Sequence, residues 1–230
     1  MAAPHSQLAL PVQLRDDATL ENFCFTPRLA ALRGLLLQPG EERFLYVHGP
    51  AGSGRSHLLQ AACHERAAGS AVYLPLAELR ELPPEAVLDG VESLALVCLD
   101  DLQAVAAEPA WEEALFHFIN RAREQGTCVL VAAAAAPGQL GIRLPDLVSR
   151  LAWGVVFQLQ APTDEEKQQI LLFRAGRRGL RMDAEAARYI LSRAPRDMAG
   201  LMALLETLDR DSIALQRALT IPFIKTRLGW

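Results

Sequence analysis

A glycine-rich segment, GPAGSGRS at residues 49–56, limits the folds open to this chain more than any other feature. An apolar run, Phe44 to Val47, precedes it, and a stretch with helical periodicity follows it. Glycines between a strand and a helix let backbone N–H groups converge on phosphate oxygens, and the positive end of the helix faces the same point. The segment therefore predicts a phosphate-binding loop in an α/β fold. The alternative is a glycine-rich turn that binds no ligand.

The segment departs from the GxxxxGK[ST] pattern at one position, because Arg55 stands where lysine is usual. A guanidinium keeps the positive charge but is larger and planar, so we expect Arg55 to hold phosphate in a different position. This change favours nucleotide binding over hydrolysis. Ser56 supplies the hydroxyl that a Mg²⁺ ion would take. The candidate nucleotide-binding residues here are Gly49, Pro50, Gly52, Ser53, Gly54, Arg55, Ser56 and His57.

Further short apolar runs alternate with helical stretches, which is typical of parallel strands covered by helices on both faces. The predicted strands are 44–47, 71–74, 94–99, 129–133 and 155–159. The third strand ends in Asp100 and Asp101 about forty residues after the glycine-rich segment, where a second phosphate-site element belongs. We predict that both acids serve the phosphate site and that Asp100 and Ser56 are Mg²⁺ ligands. The alternative for Asp100 is a solvated strand end.

The chain divides into three predicted parts. Residues 1–27 are rich in proline and polar groups without a sustained period, so they predict a mobile arm. Residues 28–162 carry the α/β pattern and form the predicted nucleotide-binding domain. Thereafter Thr163 and Glu166 make a capping box and no strand-like run follows, so 163–230 predict a small helical domain. Its predicted helices are 163–177, 184–194, 197–209, 212–220 and 222–228.

Composition excludes several classes of protein. A formal net charge of -4 argues against a surface built as a whole to neutralise nucleic-acid phosphates. The four cysteines stand far apart without a CxxC pair, so neither a zinc site nor a disulfide framework is expected. The sequence also lacks a signal-peptide pattern and a continuous apolar run of membrane length. We therefore expect a cytoplasmic protein without membrane association.

Taken together, these motifs resemble those of the Hda family of DnaA-related regulators, and more distantly the AAA+ domain of the replication initiator DnaA. The resemblance covers nearly the whole chain. It is carried by QLALP at 7–11, GSGRSHLL at 52–59, LPDL at 144–147, SRLAWG at 149–154 and LTIPFIK at 219–225. It implies an AAA+ P-loop NTPase core with a five-stranded parallel sheet, followed by a small α-helical lid domain.

The resemblance also implies a function. Members of the family are ADP-bound adaptors that dock on the sliding clamp, the β subunit of DNA polymerase III, and promote hydrolysis of ATP held by DnaA, which prevents re-initiation. Arg150 matches the arginine finger that acts in trans on the nucleotide of DnaA, whereas spacing alone favours an ordinary surface salt-bridge arginine. DNA contact would be indirect, through the clamp. The clamp-binding peptide corresponds to Gln7, Leu8, Leu10 and Pro11.

Two departures from the family pattern weaken the expected nucleotide site. Ala132–Ala136 occupy the place of a polar sensor, and Ala199 stands where relatives carry an arginine. The chain is therefore expected to bind nucleotide weakly and to have little ATPase activity of its own. Two alternatives remain open, namely an autonomous ATPase that remodels or loads a replication partner and a binding module without nucleotide. The edge that would meet DnaA could also join two copies of this chain.

Overall fold

The computed structural model describes residues 14–37, 43–215 and 218–230. The chain separates into two compact units. The first contains the described residues through Phe23 together with Ala30–Gln160, and the second contains Cys24–Leu29 and Ala161–Trp230. None of the helices within these ranges has both the length and the apolar character that a membrane span requires.

The first unit is built on one sheet of five parallel strands. The strands are β1 (Phe44–His48), β2 (Ala71–Pro75), β3 (Leu96–Asp100), β4 (Cys128–Ala133) and β5 (Val155–Gln158). Their order is β2-β3-β4-β1-β5, so the carboxyl ends of β1, β4 and β3 are neighbours at one edge. The α/β fold class is confirmed. Ligands of open parallel sheets bind at this edge. The glycine-rich segment follows β1 here, and Asp100 and Asp101 lie at the end of β3.

Helices cover both faces of the sheet, as its continuously apolar strands require. Every residue of β3 and β4 is buried, because side chains on both faces of these strands pack against helices. The helices of this unit are α1 (Ala30–Leu37), α2 (Arg55–His64), α3 (Leu76–Leu79), α4 (Pro84–Leu88), α5 (Pro109–Gln125) and α6 (Pro145–Leu151). Short 3₁₀ turns lie at Leu20–Asn22, Val91–Ser93, Leu102–Ala104 and Pro137–Gln139.

The sequence of helix α5 explains where this helix starts, where it stops and which face it buries. It begins at Pro109, which suits the first turn, and ends at Gly126, whose left-handed backbone (φ 73°) lets its N–H bond to carbonyl groups of the last turn. Its buried face carries Leu115, Phe118 and Ala122, spaced at helical intervals, into the main core.

The second unit is helical in its described part apart from its loops, as predicted. After the 3₁₀ turn Pro27–Leu29, its helices are α7 (Asp164–Arg177), α8 (Ala184–Arg193), α9 (Met198–Leu215) and α10 (Ile221–Leu228). The capping box is present, since the Thr163 hydroxyl accepts from the Glu166 N–H and the Glu166 carboxylate accepts from the Thr163 N–H. Leu171, Ile190, Leu201 and Leu205 meet in its core.

The prediction of separate helices at 197–209 and 212–220 is wrong, because one helix, α9 (Met198–Leu215), covers most of the first segment and continues into the second. No glycine or proline interrupts the chain between these two segments. Within the continuous helix, Asp211 forms an ion pair with Arg227 at 2.6 Å.

The structure also differs from the prediction of a mobile arm up to residue 27. Residues 14–23 pack on α2, where the Arg15 N–H donates to Oε1 of Gln60 at 3.0 Å and Nε2 of His57 donates to the Thr19 carbonyl at 2.9 Å. Ala18 is completely buried. These contacts use mostly backbone groups, which leave no hydrophobic period in the sequence.

Candidate nucleotide site and arginine edge

The glycine-rich segment joins β1 to α2 in a conformation that turns on two glycines. Gly52 (φ 76°) and Gly54 (φ 95°) both adopt the left-handed backbone that favours glycine. Helix α2 begins at the next residue, Arg55, so its first N–H groups face the loop. The predicted geometry of a phosphate-binding loop, with a strand before it and a helix N-terminus after it, is present.

Neighbouring groups hold this loop closely at both of its ends. The Gly49 N–H donates to the Ala133 carbonyl at 3.2 Å, and a Cβ at Gly49 would lie 2.2 Å from the Leu159 carbonyl oxygen. A Cβ at Gly54 would lie 2.7 Å from the ring of Phe23. Glycine is therefore required at both positions by the space available.

Two polar atoms in the loop have no hydrogen-bond partner among the described residues. The Ser53 hydroxyl and Nη1 of Arg55 are buried and form no hydrogen bond within the described part of the chain. A buried polar group without a partner costs about 1–3 kcal/mol, so such groups mark places where a ligand completes the bonding. A hydroxyl and a guanidinium suit phosphate oxygens. The loop therefore fits the phosphates of a nucleotide.

The Arg55 guanidinium faces the end of β3. Its Nη2 lies 3.8 Å from Oδ1 of Asp101, and the side chain is 11% exposed. It also lies close enough to Tyr46 to oppose electrostatically the strong rise that burial causes in the pKa of that phenol. Arg55 thus has one acidic partner within the protein and keeps a donor for a ligand.

Asp100 is held firmly at the end of β3. Only 1% of the residue is exposed, and its two carboxylate oxygens accept from the Tyr73 hydroxyl at 2.6 Å and from the Asp101 N–H at 2.8 Å. Burial and the adjacent Asp100 charge raise the pKa of Tyr73, so this phenol stays a donor. Tyr73 was not predicted, since only the pairing of β2 with β3 brings it to the acid.

Gln103 is a second polar residue of the site that the sequence motifs do not indicate. Its Nε2 donates to Oδ1 of Asp101 at 2.8 Å, and its Oε1 accepts from the Ala134 N–H at 2.9 Å. It therefore connects the ends of β3 and β4. Asp101 itself has a left-handed backbone (φ 54°), which is rare for a residue other than glycine and is often found at functional sites.

A Mg²⁺ ion is compatible with the donors at this edge. The predicted ligands are the Ser56 hydroxyl in the first turn of α2 and the Asp100 carboxylate, both oxygen donors of the kind that Mg²⁺ prefers. Within residues 14–37, 43–215 and 218–230, no cluster of three or more His, Cys, Asp or Glu side chains is placed to hold a metal alone. Phosphate oxygens would have to complete the coordination.

The His57 ring lies against the segment that precedes α1. It contacts the ring of Phe23 at 5.3 Å between centroids and bonds to the Thr19 carbonyl. The sequence grouped His57 with the nucleotide-binding residues, but the structure places its ring against the segment before α1. His57 thereby fixes Phe23, which in turn packs on Gly54 of the loop.

Arg150 lies at a different edge of the first unit, near the end of α6. Its Cζ is 4.0 Å from the ring centroid of Trp153 and 5.7 Å from that of Phe116. Arg123, near the end of α5, lies 3.6 Å from the same Trp153 ring. An open cleft of about 580 Å³ is lined by Arg123, Arg150 and Trp153 together with Asn120 and Glu124.

The interpretation of Arg150 as an ordinary salt-bridge residue is not supported. No carboxylate pairs with it in the part of the chain that the structure describes, and its Nε is buried without a hydrogen-bond partner. Its contacts are instead with aromatic rings, which attract a cation without neutralising its charge.

Comparison with known proteins identifies the family. Residues 164–228 match the family model for the lid domain of Hda. A protein of Haemophilus influenzae, described only as uncharacterized, is 41% identical over 98% of this chain and 99% of its own length. Domain III of DnaA from Thermotoga maritima has the same fold, with a TM-score of 0.76 and 20% identity over 95% of this chain and 98% of that domain. The chain belongs to the Hda/DnaA-related AAA+ proteins.

A second solved structure of a similar protein contains a nucleotide analogue. DnaA from Aquifex aeolicus bound to AMPPCP matches with a TM-score of 0.71 and 22% identity over 85% of this chain and 67% of that chain. The AAA+ core and the helical lid are thus confirmed, and a similar fold accommodates a nucleotide in the Aquifex protein.

Two positions that depart from the AAA+ family pattern can be located. Ala132 and Ala133 end β4 and the three alanines that follow it offer only backbone groups, one of which, the Ala135 carbonyl, accepts from the Tyr46 hydroxyl at 2.8 Å. Ala199 lies in the first turn of α9 in the second unit. Neither position provides a side chain that could bond to phosphate.

The predicted clamp-binding residues Gln7, Leu8, Leu10 and Pro11 lie outside the described residues. The assignment of these four residues stays a prediction.

Proposed function

We propose that this chain is an adaptor that controls replication initiation by stimulating hydrolysis of ATP held by a neighbouring DnaA subunit, with Arg150 as the group supplied in trans. The observation that carries the proposal is the state of Arg150, which lies at an open cleft, stacks on Trp153 and has no carboxylate partner in the described ranges. An arginine with these properties is suited to an anion that another molecule brings.

The chemistry follows from the planar guanidinium. Its N–H groups can donate to the oxygens of a transferring phosphoryl group, where negative charge must be stabilised in the transition state. Arginines supplied in this way by a second protein are worth about 10³–10⁵ in rate. A guanidinium already neutralised by a carboxylate would be less effective, so contact with Trp153 rather than with an acid favours this role.

The chain's own phosphate loop supports a bound ADP. Ser53 and Arg55 supply the buried donors, and Ser56 with Asp100 would hold Mg²⁺, which when bound neutralises charge on phosphate oxygens. The alanine segment Ala132–Ala136 offers no side chain to orient an attacking water, which supports a nucleotide that is held rather than turned over.

The remaining partners follow from the family. We propose that Gln7, Leu8, Leu10 and Pro11 bind the sliding clamp, through which the chain would meet DNA and reach DnaA in the cytoplasm. Spaced apolar anchors and a glutamine suit a peptide groove. The edge that carries Arg150 could also join two copies of this chain when DnaA is absent.

The decisive experiment measures hydrolysis of ATP bound to DnaA, with clamp loaded on DNA, in the presence of the intact chain, of Arg150→Ala and of Arg143→Ala. The intact chain should stimulate hydrolysis, and Arg150→Ala should lower this stimulation by about 10³-fold or more. Arg143→Ala, an exposed arginine just before α6, is the matched control and should act like the intact chain. Full stimulation by Arg150→Ala would contradict the proposal.

Two further measurements separate the alternatives. The purified chain alone should hydrolyse ATP no faster than background, and clear turnover would favour an autonomous ATPase. Titration of the clamp should show binding that is lost when Gln7, Leu8 and Leu10 are all changed to alanine. Retained binding in that triple variant would show that other residues make the clamp contact.

A further inference from the structure

Trp153 lies in contact with two arginines that come from different helices. The Arg150 Cζ is 4.0 Å and the Arg123 Cζ is 3.6 Å from the centroid of its ring. Trp153 is 42% exposed, although tryptophan side chains are on average highly buried. The core does not account for its position, since it lines the cleft rather than the main cluster of buried residues.

A neighbouring arginine, Arg121, is neutralised by carboxylates, whereas among the residues that the structure describes the two arginines on Trp153 are not. Arg121, on the same helix as Arg123, pairs with Glu92 at 2.8 Å and with Asp89 at 3.4 Å. Arg123 and Arg150 form no such pair within the described ranges, although Glu124 lines the same cleft. Two unneutralised cations on one ring repel each other, so the arrangement is most stable when an anion is bound between or beside them.

We propose that Trp153 positions the Arg150 guanidinium and that Arg123 supplies a second positive charge to the same anion. This inference rests on the proposed function, and the anion is the polyphosphate of a nucleotide held by a neighbouring AAA+ subunit. Trp153 is a positioning residue, because it acts by restricting Arg150. Arg123 attracts the phosphates before and during the reaction alike.

These roles predict different kinetic effects. Loss of the Trp153 ring leaves Arg150 charged but free to move, which lowers the rate of the chemical step. Loss of Arg123 removes attraction that is equal in the bound state and in the transition state, which weakens association without changing the maximal rate. A merely structural role for Trp153 would change stability instead.

The test titrates each variant against ATP-bound DnaA, with clamp loaded on DNA, and separates the maximal rate from the half-saturating concentration. Trp153→Leu should lower the maximal rate by roughly 10-fold, in the range of one cation–π contact, with little change in half-saturation. Trp153→Phe retains a ring and should recover to within about threefold of the intact chain. Urea unfolding of both variants verifies that they are folded.

The matched change on the other helix is Arg123→Gln, with Arg123→Lys as its conservative control. Arg123→Gln should raise the half-saturating concentration by about fivefold at an unchanged maximal rate, and the difference should shrink as salt rises. Arg123→Lys keeps the charge and should lose less.

The possible outcomes separate the two proposals. If the intact chain stimulates and Arg150→Ala does not, but Trp153→Leu keeps the full maximal rate, the positioning role is wrong and the proposed function stands. If Trp153→Phe is as slow as Trp153→Leu, side-chain size rather than the aromatic contact matters, and the inference is overturned. Failure of the intact chain to stimulate at all removes both proposals.

Discussion

Arg55 and Arg150 present the same functional group in two opposite settings. The Arg55 side chain is mostly buried and faces the carboxylate of Asp101, whereas Arg150 stacks on the exposed Trp153 and has no acidic partner among the described residues. Each has one buried nitrogen without a hydrogen-bond partner in those residues. The difference supports the proposal that the loop binds a ligand held by the chain itself and that the cleft meets one held by another molecule.

The largest expected effects come from glycines on which each region depends. Gly49 begins the phosphate loop, and Gly154 follows Trp153 immediately before β5. A Cβ at Gly154 would lie 2.0 Å from the Phe44 carbonyl oxygen, and one at Gly49 would lie 2.2 Å from that of Leu159. Since backbone must move in each case, we expect Gly49→Ala and Gly154→Ala each to lower the free energy of unfolding by about 3 kcal/mol, measured in urea.

Gly34 provides the matched control for both substitutions. It lies on the exposed side of α1 with no atom within 4 Å of an added Cβ. Gly34→Ala should therefore raise the free energy of unfolding by about 0.5–1 kcal/mol. Equal stability of all three variants would show that neither region depends on close backbone packing.

A smaller effect is expected from Arg55. Arg55→Ala removes a charged donor of the phosphate site, and a charge-assisted hydrogen bond is worth about 1.5–3 kcal/mol. The dissociation constant for ADP, measured by calorimetry, should rise by roughly 10- to 100-fold. Arg55→Lys restores the usual residue of the motif and should bind within about threefold of the intact chain.

The same Arg55 variants sharpen the comparison with Arg150. Arg150→Ala should leave ADP affinity unchanged, because Arg150 contacts Trp153 and Phe116 and lines a cleft that contains none of the loop residues. Wild-type ADP affinity in Arg55→Ala would mean that this guanidinium serves only Asp101.

The smallest expected effect concerns Gln103, which joins Asp101 to the Ala134 N–H. Gln103→Ala removes one hydrogen bond to the Asp101 carboxylate and one to the Ala134 N–H, neither of which contacts the ligand, so ADP affinity should fall by about two- to tenfold. Gln103→Glu places a second carboxylate beside Asp101 and should bind ADP less well than Gln103→Ala. The opposite order in calorimetry would show that Gln103 does not act through Asp101.

Features that depend on local sequence were predictable. The loop at Gly49–Ser56 and the acids at the end of β3 follow from strand-to-helix patterns, and the sheet that unites them follows from the buried apolar strands. The family resemblance also pointed to Arg150. The loop and the strands could be predicted because their backbone conformation and burial determine the residue types at a few consecutive positions.

Features that depend on tertiary contact were not predictable. Gln103 and Tyr73 meet the acids only through turn geometry and strand pairing, and Arg123 meets Trp153 only through the packing of α5 near α6. The break predicted after residue 209 was also wrong, because α9 continues to Leu215. The residues that make these contacts come from separate elements, and the sequence does not show which elements pack together.

The attachment of residues 14–19 to α2 has a mechanical consequence for the proposed clamp contact. Arg15 and Thr19 are bonded to Gln60 and His57 on the helix that starts at the phosphate loop. Only Val12 and Gln13 stand between Pro11 and Leu14 in the sequence, and each residue of an extended chain adds at most about 3.5 Å. If the peptide ending at Pro11 binds the clamp, this short connection would keep the nucleotide-binding unit close to the clamp. The range of orientations that this unit could adopt on the clamp would then be narrow.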